Sequence, residues 1–197
     1  MVLAGGAGRR LGGRHKPGIT VAGRPLLDHA LAAVAGADRV VVVGPPQPTA
    51  VPVVWTREEP AGGGPVAALV AGLAECDGAQ TVVVLAADLV GVTVATVDRL
   101  RAELARQPSA DGVVLVDHEG HRQWLIGAWR TAALRAALPA HPHGVALRAT
   151  LAGLAVTTVP ERPGESADID TPDDLAAALA THRPGHGAGG PSRPSHW

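Results

Sequence analysis

The chain has 197 residues, 46% of them hydrophobic, and a formal net charge of −1 at pH 7, which suits one domain with a substantial core and no nucleic-acid or acidic-membrane partner. No run of about 20 apolar residues exists to span a bilayer, and residues 1–6 carry neither a basic leader nor an apolar h-region, so no signal peptide and a cytoplasmic location are expected. The single cysteine, Cys76, excludes an internal disulfide framework and any cysteine-based zinc site.

Apolar runs alternate with helical patterns, the signature of a largely parallel sheet with crossover helices. Residues 2–4 read as a short first strand, followed by a glycine-rich loop. Pro25 opens a helix through residue 34, since proline is tolerated at the first helical position. Residues 39–43 are a β-branched run closed by Gly44-Pro45-Pro46, and residues 51–55 are a further strand. A second glycine loop, Gly62-Gly63-Gly64-Pro65, leads into a helix that ends near residue 75. Thr-Val-Val-Val-Leu-Ala at 81–86 is the clearest central strand, and Asp88 stands just beyond it. Residues 94–107 put Val94, Val97, Leu100 and Leu104 on one helical face.

Strands at 112–116 and 125–129 join through a polar turn at 117–123. Helices at 131–138 and 145–154 and a last strand at 155–159 follow. Thr171 then caps a helix that Pro172 opens and that runs through residue 180, with Asp173 and Asp174 facing the positive end of its dipole. Residues 182–197 bury too little apolar surface to offset ordering, so a disordered tail is expected behind a domain of residues 1–181.

The first loop carries the strongest chemical signal. Five of the residues from Gly5 to Gly13 are glycine, flanked by Arg9, Arg10, Arg14 and Lys16. Glycines let the backbone approach an anion, successive N–H groups can point at phosphate oxygens, and Arg and Lys supply charge. Ligands of open α/β sheets bind beyond the carboxyl ends of strands, where this loop lies. It is neither a Walker A loop nor the dinucleotide fingerprint, because Leu11 stands where a third glycine is required. On these residues alone it is an anion site or a flexible solvated loop.

Two carboxylate groups follow. Asp88, beyond the central strand, is either a ligand for Mg²⁺, which takes one or two carboxylates plus phosphate oxygens, or a cap on the next turn. In Asp168-Ile169-Asp170-Thr171-Pro172 the alternation puts Asp168 and Asp170 on one side of an extended segment, for metal binding or for helix capping. His141 and His143 lie in a proline-rich loop without a partner set for zinc, and His182 and His186 fall in the tail.

Leu3-Ala4-Gly5-Gly6-Ala7-Gly8-Arg9-Arg10-Leu11-Gly12-Gly13-Arg14-His15-Lys16 closely resembles the signature L-A-G-G-x-x-x-R-[LM]-G-G-x-x-K of the MobA-like nucleotidyltransferases, and Gly23-Arg24-Pro25-Leu26-Leu27 continues the match. The resemblance covers roughly residues 1–181. It implies a single-domain, Rossmann-like three-layer α/β sandwich with a mostly parallel central sheet, like the nucleotide-diphospho-sugar transferases. It implies transfer of a nucleoside monophosphate from a triphosphate, GTP favoured and CTP possible, to a phosphate-bearing acceptor such as molybdopterin, with Mg²⁺ as cofactor.

By resemblance, Leu3, Ala4, Gly5, Gly6, Arg10, Gly12, Gly13 and Lys16 hold the triphosphate. Lys16, Arg10 and Asp88 are the catalytic set, and Asp88 and Asp170 hold the metal. Gly64 and Pro65 lie near base and ribose, where a plain helix start is the alternative. Gly120–Arg130 resembles the strand that lines the acceptor, with Arg122 and Gln123 as contacts or as members of a solvated turn.

The sequence departs from the family at three places. His15 replaces the usual Asp before the lysine. Ala87-Asp88-Leu89-Val90 replaces Cys-Asp-x-Pro. Arg57, with Glu58 and Glu59 beside it, stands where guanylyltransferases carry an Asp near the base. The rival readings are nucleotidyl transfer to another phosphate ester and, in a different class, a nucleotide-binding accessory protein without turnover.

Overall fold

The computed structural model describes residues 1–5 and 18–181. The loop from Gly6 to Pro17 and the tail from His182 lie outside the described residues. In chain order the elements are β1 (Val2–Leu3), β2 (Thr20–Val21), β3 (Arg24–Pro25), α1 (Leu26–Ala33), β4 (Val41–Val43), β5 (Val54–Thr56), α2 (Pro65–Ala74) and β6 (Thr81–Ala86). They continue with α3 (Val94–Arg106), β7 (Gly112–Val116), β8 (Arg122–Arg130), α4 (Thr131–Ala137), α5 (Leu147–Leu151), β9 (Val156–Pro160) and α6 (Pro172–Thr181).

Seven strands form one sheet in the order β5-β4-β1-β6-β8-β7-β9. All neighbours are parallel except those of β8, which runs antiparallel to both β6 and β7. A sheet of this kind is covered on both faces, which is why its strands read as unbroken Val and Leu runs. Alternate residues divide between two layers. Val2, Val42, Leu85 and Val113 pack on Leu27 and Leu31 of α1 and on Val97, Leu100 and Leu104 of α3. Leu3, Val43, Val84 and Val114 face Leu69 and Leu73 of α2, Leu134 of α4 and Leu151 of α5. The expected three-layer, mostly parallel α/β architecture is therefore the one observed. Among the described residues no helix is long and apolar enough to cross a membrane.

Trp129 of β8 is fully buried, and two glycines make room for it. A Cβ on Gly112, directly across the strand pair, would lie 2.2 Å from the Trp129 ring, and one on Gly127 would lie 2.8 Å from its indole nitrogen. Trp124 stacks on Trp129 with centroids 6.4 Å apart. Arg130 then donates to the carbonyls of Ala110, Gln107 and Leu104, satisfying the carboxyl end of α3.

Three local expectations change. Pro25 does not begin the first helix: it pairs with Thr20 in a β2–β3 hairpin turned by Ala22 (φ 51°) and Gly23 (φ 78°), and α1 starts at Leu26. β8 starts at Arg122 instead of 125, because pairing with β7 continues across an irregularity at Val114/Leu115, and the polar turn shrinks accordingly. The helix expected at 145–154 contracts to α5, since the Val145 amide bonds back to Pro142 in a turn.

Candidate functional site

The parallel strands β5, β4, β1 and β6 end on one edge, and the loops that leave them meet there. Ala4-Gly5 follows β1, Gly44 follows β4, Glu58 follows β5 and Asp88 follows β6. β1 and β6 are neighbours, yet their crossovers run in opposite directions, through α1 to β4 and through α3 toward β7. A gap opens between such strands at their carboxyl ends, and α/β sheets bind ligands there.

Of the residues expected to hold phosphate, Leu3, Ala4 and Gly5 are described, whereas Gly6, Arg10, Gly12, Gly13 and Lys16 lie outside the described residues. The Leu3 carbonyl accepts from the Ala87 amide at 3.0 Å, and the Ala4 amide donates to the Val43 carbonyl at 2.8 Å. The Ala4 N–H is therefore committed to the sheet. Gly5, exposed, is where the chain leaves the sheet. Gly44, read from sequence only as the end of a strand, has a second duty: a Cβ on it would lie 3.0 Å from the Ala4 carbonyl carbon and oxygen.

The second glycine loop is tied through Glu58 to Gly5, where a Cβ would lie 3.9 Å from Glu58 Oε1. Gly64 (φ 88°) occupies the N-cap of α2 and Pro65 its first turn, with no side chain capping the helix. The loop is braced twice. Glu58, only 8% exposed, accepts the Gly62 amide on Oε1 at 3.0 Å. His143 lies within hydrogen-bonding distance of the Glu59 carbonyl, with Nε2 at 3.0 Å, while its ring fills the space a Cβ on Gly63 would take. Sequence reasoning set His143 aside, and its isolation among prolines held no signal of this contact. Arg57, aligned with the family's Asp, is exposed; its neighbour Glu58 is the carboxylate that turns inward.

The carboxylates converge. Leu89 bridges antiparallel to Asp168, the Ile169 amide donates to the Asp88 carbonyl at 3.2 Å, and the Val90 amide donates to Ala167 at 3.2 Å. Ile169 is buried with Val21, Leu26, Val90 and Ala178, so Asp168 and Asp170, on either side of it, turn away from that cluster. The result is a group in which Asp88, Asp168 and Asp170 each offer an oxygen within 4.8 Å of the others. The structure thus brings Asp88 and Asp170 together, with Asp168 beside them. Asp174, not Asp170, completes the helix cap. Its carboxylate accepts the Asp170 and Thr171 amides, and its own amide donates to the Thr171 hydroxyl at 3.2 Å.

A second carboxylate holds this segment against the body of the domain. Glu165, buried, accepts from the Thr96 hydroxyl at 2.6 Å and from both terminal nitrogens of Arg99 at 2.9 and 3.0 Å. Burial pushes the Glu165 carboxyl upward, but the Arg162 amide, the Thr96 hydroxyl and the Arg99 guanidinium together outweigh it and hold the group below the usual glutamate range. The stability this contact contributes is complete above the ordinary glutamate value of about 4.3 and is lost as pH falls through the depressed folded-state value. Thermal melts followed from pH 6 down to pH 3 should fall more steeply for the native chain than for Glu165→Gln, and equal slopes would count against the contact.

At the start of β8 the Gln123 side-chain amide donates to Asp117 at 2.7 Å, and Asp117 also accepts the Glu119 and His121 amides. Gln123, in β8, thus braces the turn that precedes the strand. Arg122 lies over the Trp124 ring, 5.6 Å from its centroid, and is exposed.

A family model described as the MobA-like NTP transferase domain matches residues 1–158. A molybdenum cofactor guanylyltransferase of Acidiphilium cryptum (strain JF-5) is 32% identical over 192 residues, covering 91% of this chain and 93% of that protein. Among solved structures, molybdopterin-guanine dinucleotide biosynthesis protein A from Archaeoglobus fulgidus matches with a TM-score of 0.72 at 21% identity, covering 91% of this chain and 96% of that one. The 2-C-methyl-D-erythritol 4-phosphate cytidylyltransferase from Thermus thermophilus matches at 0.66 and 22% identity, covering 92% and 98%. The two structures share the Rossmann-like α/β fold of the nucleotide-diphospho-sugar transferases with this chain.

Proposed function

Because this chain belongs to the MobA-like NTP transferase family and is a nucleotidyltransferase of that superfamily, we propose that it moves GMP from GTP to molybdopterin and releases pyrophosphate. The observation that carries the reading is the meeting of Asp88, Asp168 and Asp170 at the sheet edge from which the β1 loop departs. Hard oxygen donors in such a group fit Mg²⁺, and Asp88 with Asp170 would hold it, with Asp168 adjacent. When bound, Mg²⁺ supplies positive charge against the phosphates.

In this reading a phosphate oxygen of the acceptor forms a bond to the α-phosphorus in line. The bond from that phosphorus to the bridging oxygen breaks, and pyrophosphate leaves with the electron pair. Little covalent work falls to the protein, so positioning and charge carry the rate. Backbone of Leu3, Gly5, Gly6, Gly12 and Gly13 would line the triphosphate, with Ala4 anchoring the strand end. Arg10 would grip the β- and γ-phosphates, and Lys16 would neutralise charge at the α-phosphate. Gly64 and Pro65 would border the nucleoside.

The test is pyrophosphate release from a panel of GTP, CTP, ATP and UTP, each with molybdopterin and with a phosphosugar, in Mg²⁺, and mass analysis of the product. The expected product is the guanine dinucleotide of molybdopterin. Turnover only with CTP, or only with the sugar phosphate, overturns the assignment of base or acceptor. Triphosphate binding without turnover on any acceptor marks an accessory protein.

A further inference from the structure

Gly62-Gly63-Gly64 has no side chain with which to hold its own shape. Gly62 and Gly64 lie in the left-handed region, at φ 82° and 88°, and α2 follows without a side-chain cap. Glycine loses more conformational freedom on ordering than any other residue, so the loop must be held from outside. Glu58 holds Gly62. The rest of the support comes from the segment between α4 and α5. There the Val145 amide turns back to the Pro142 carbonyl, with Gly144 at φ 70°. This turn presents two groups to the loop. The Gly144 amide donates to the Gly63 carbonyl at 2.9 Å. His143 Nε2 lies 3.0 Å from the Glu59 carbonyl, 84 residues away in sequence. A carbonyl can only accept, so Nε2 carries the hydrogen.

The imidazole also takes the place of a side chain in the loop. A Cβ on Gly63 would lie 2.4 Å from Nδ1 and 2.6 Å from Cε1, so only glycine at 63 admits the ring. One side chain therefore holds the chain at both Glu59 and Gly63. The next two residues are Gly64 and Pro65, the N-cap and first turn of α2. His143 is exposed and belongs to none of the hydrophobic clusters, so its duty is to the loop and not to the core.

We propose that His143 is a positioning residue for the nucleotide. By holding residues 59–63 it places Gly64 and Pro65, and it sets the affinity for the nucleoside part of the triphosphate, leaving the phosphate part untouched. This rests on the reading above in which Gly64 and Pro65 border the nucleoside.

The experiment is equilibrium calorimetry of the full chain in Mg²⁺, with no acceptor present, titrated with GTP and with inorganic tripolyphosphate, which has no nucleoside. His143→Ala should weaken GTP about 3- to 10-fold, the scale of one neutral hydrogen bond, and leave tripolyphosphate unchanged. His143→Gln should recover most of the loss, because its amide nitrogen reaches as far as Nε2. His143→Asn, whose amide reaches only as far as Nδ1, should behave like His143→Ala, and it carries the test if the alanine variant melts below the native chain. In pyrophosphate release the KM for GTP should rise by the same factor, with kcat at saturating GTP unchanged. Unaltered GTP affinity in His143→Ala and His143→Asn, an equal loss for GTP and tripolyphosphate, or rescue by asparagine as full as by glutamine overturns the proposal. A native chain that binds GTP no better than tripolyphosphate overturns the nucleoside border at Gly64 and Pro65, and one that binds neither overturns the transferase reading itself.

Discussion

Asp88→Asn should lower pyrophosphate release by about 10²- to 10³-fold at saturating Mg²⁺, the scale of losing one group that stabilises charge in the transition state. The side chain sits two residues beyond β6, between buried Ala87 and Leu89, so its direction is set by neighbours that cannot turn outward. Asparagine preserves that shape and one oxygen while removing the charge. The loss should therefore appear in Mg²⁺ dependence and not in folding. Melting without metal should stay near the native value, and the rise in melting temperature that Mg²⁺ produces, which follows from binding to the folded state alone, should shrink. Asp170→Asn and Asp168→Asn allow a ranking, since all three oxygens lie within 4.8 Å of one another. Undiminished release from Asp88→Asn at saturating Mg²⁺ would remove Asp88 from the reaction.

The order in which these groups became visible has a physical reason. β6 and β7 fall at the predicted residues, because a strand covered on both faces writes its burial into an unbroken run such as Thr81–Ala86. The capping of α6 by Thr171 was legible too, since a cap is local chemistry. The alternation of Asp168 and Asp170 about Ile169 was equally local. What no local pattern carries is that Leu89 pairs with Asp168, about 80 residues away, and this pairing is what adds Asp168 to Asp88 and Asp170.

Glu58 was hidden for a related reason. Nothing in Arg57-Glu58-Glu59 tells which side chain is buried, and only the path of the chain around Gly62 turns the middle one inward. The β2–β3 hairpin escaped because Ala22, at φ 51°, fills a position where turns advertise themselves with Gly or Asn.

The long-range pairing that completes the carboxylate group depends on one close approach. A Cβ on Gly91 would lie 1.7 Å from the Gly164 carbonyl oxygen and 2.7 Å from its carbon, distances at which backbone must move. Gly91 follows Val90, whose amide holds Ala167, and the Gly164 carbonyl accepts the Ala167 amide at 3.2 Å. The added methyl therefore drives a wedge between the Asp88 loop and the 161–170 segment, beside the Glu165 contact with Thr96 and Arg99. Gly91→Ala should cost about 1–3 kcal/mol or more of stability, as overpacking does when the obstacle is main chain. It should also raise the Mg²⁺ concentration needed for half-maximal release about 10-fold or more, because Asp168 and Asp170 are carried away from Asp88. Gly153→Ala supplies the contrast: nothing lies within 4 Å of a Cβ there, so it should leave both stability and Mg²⁺ dependence close to native. Equal behaviour of the two variants in denaturant melts and Mg²⁺ titrations would mean that the segment is not held in register by this contact.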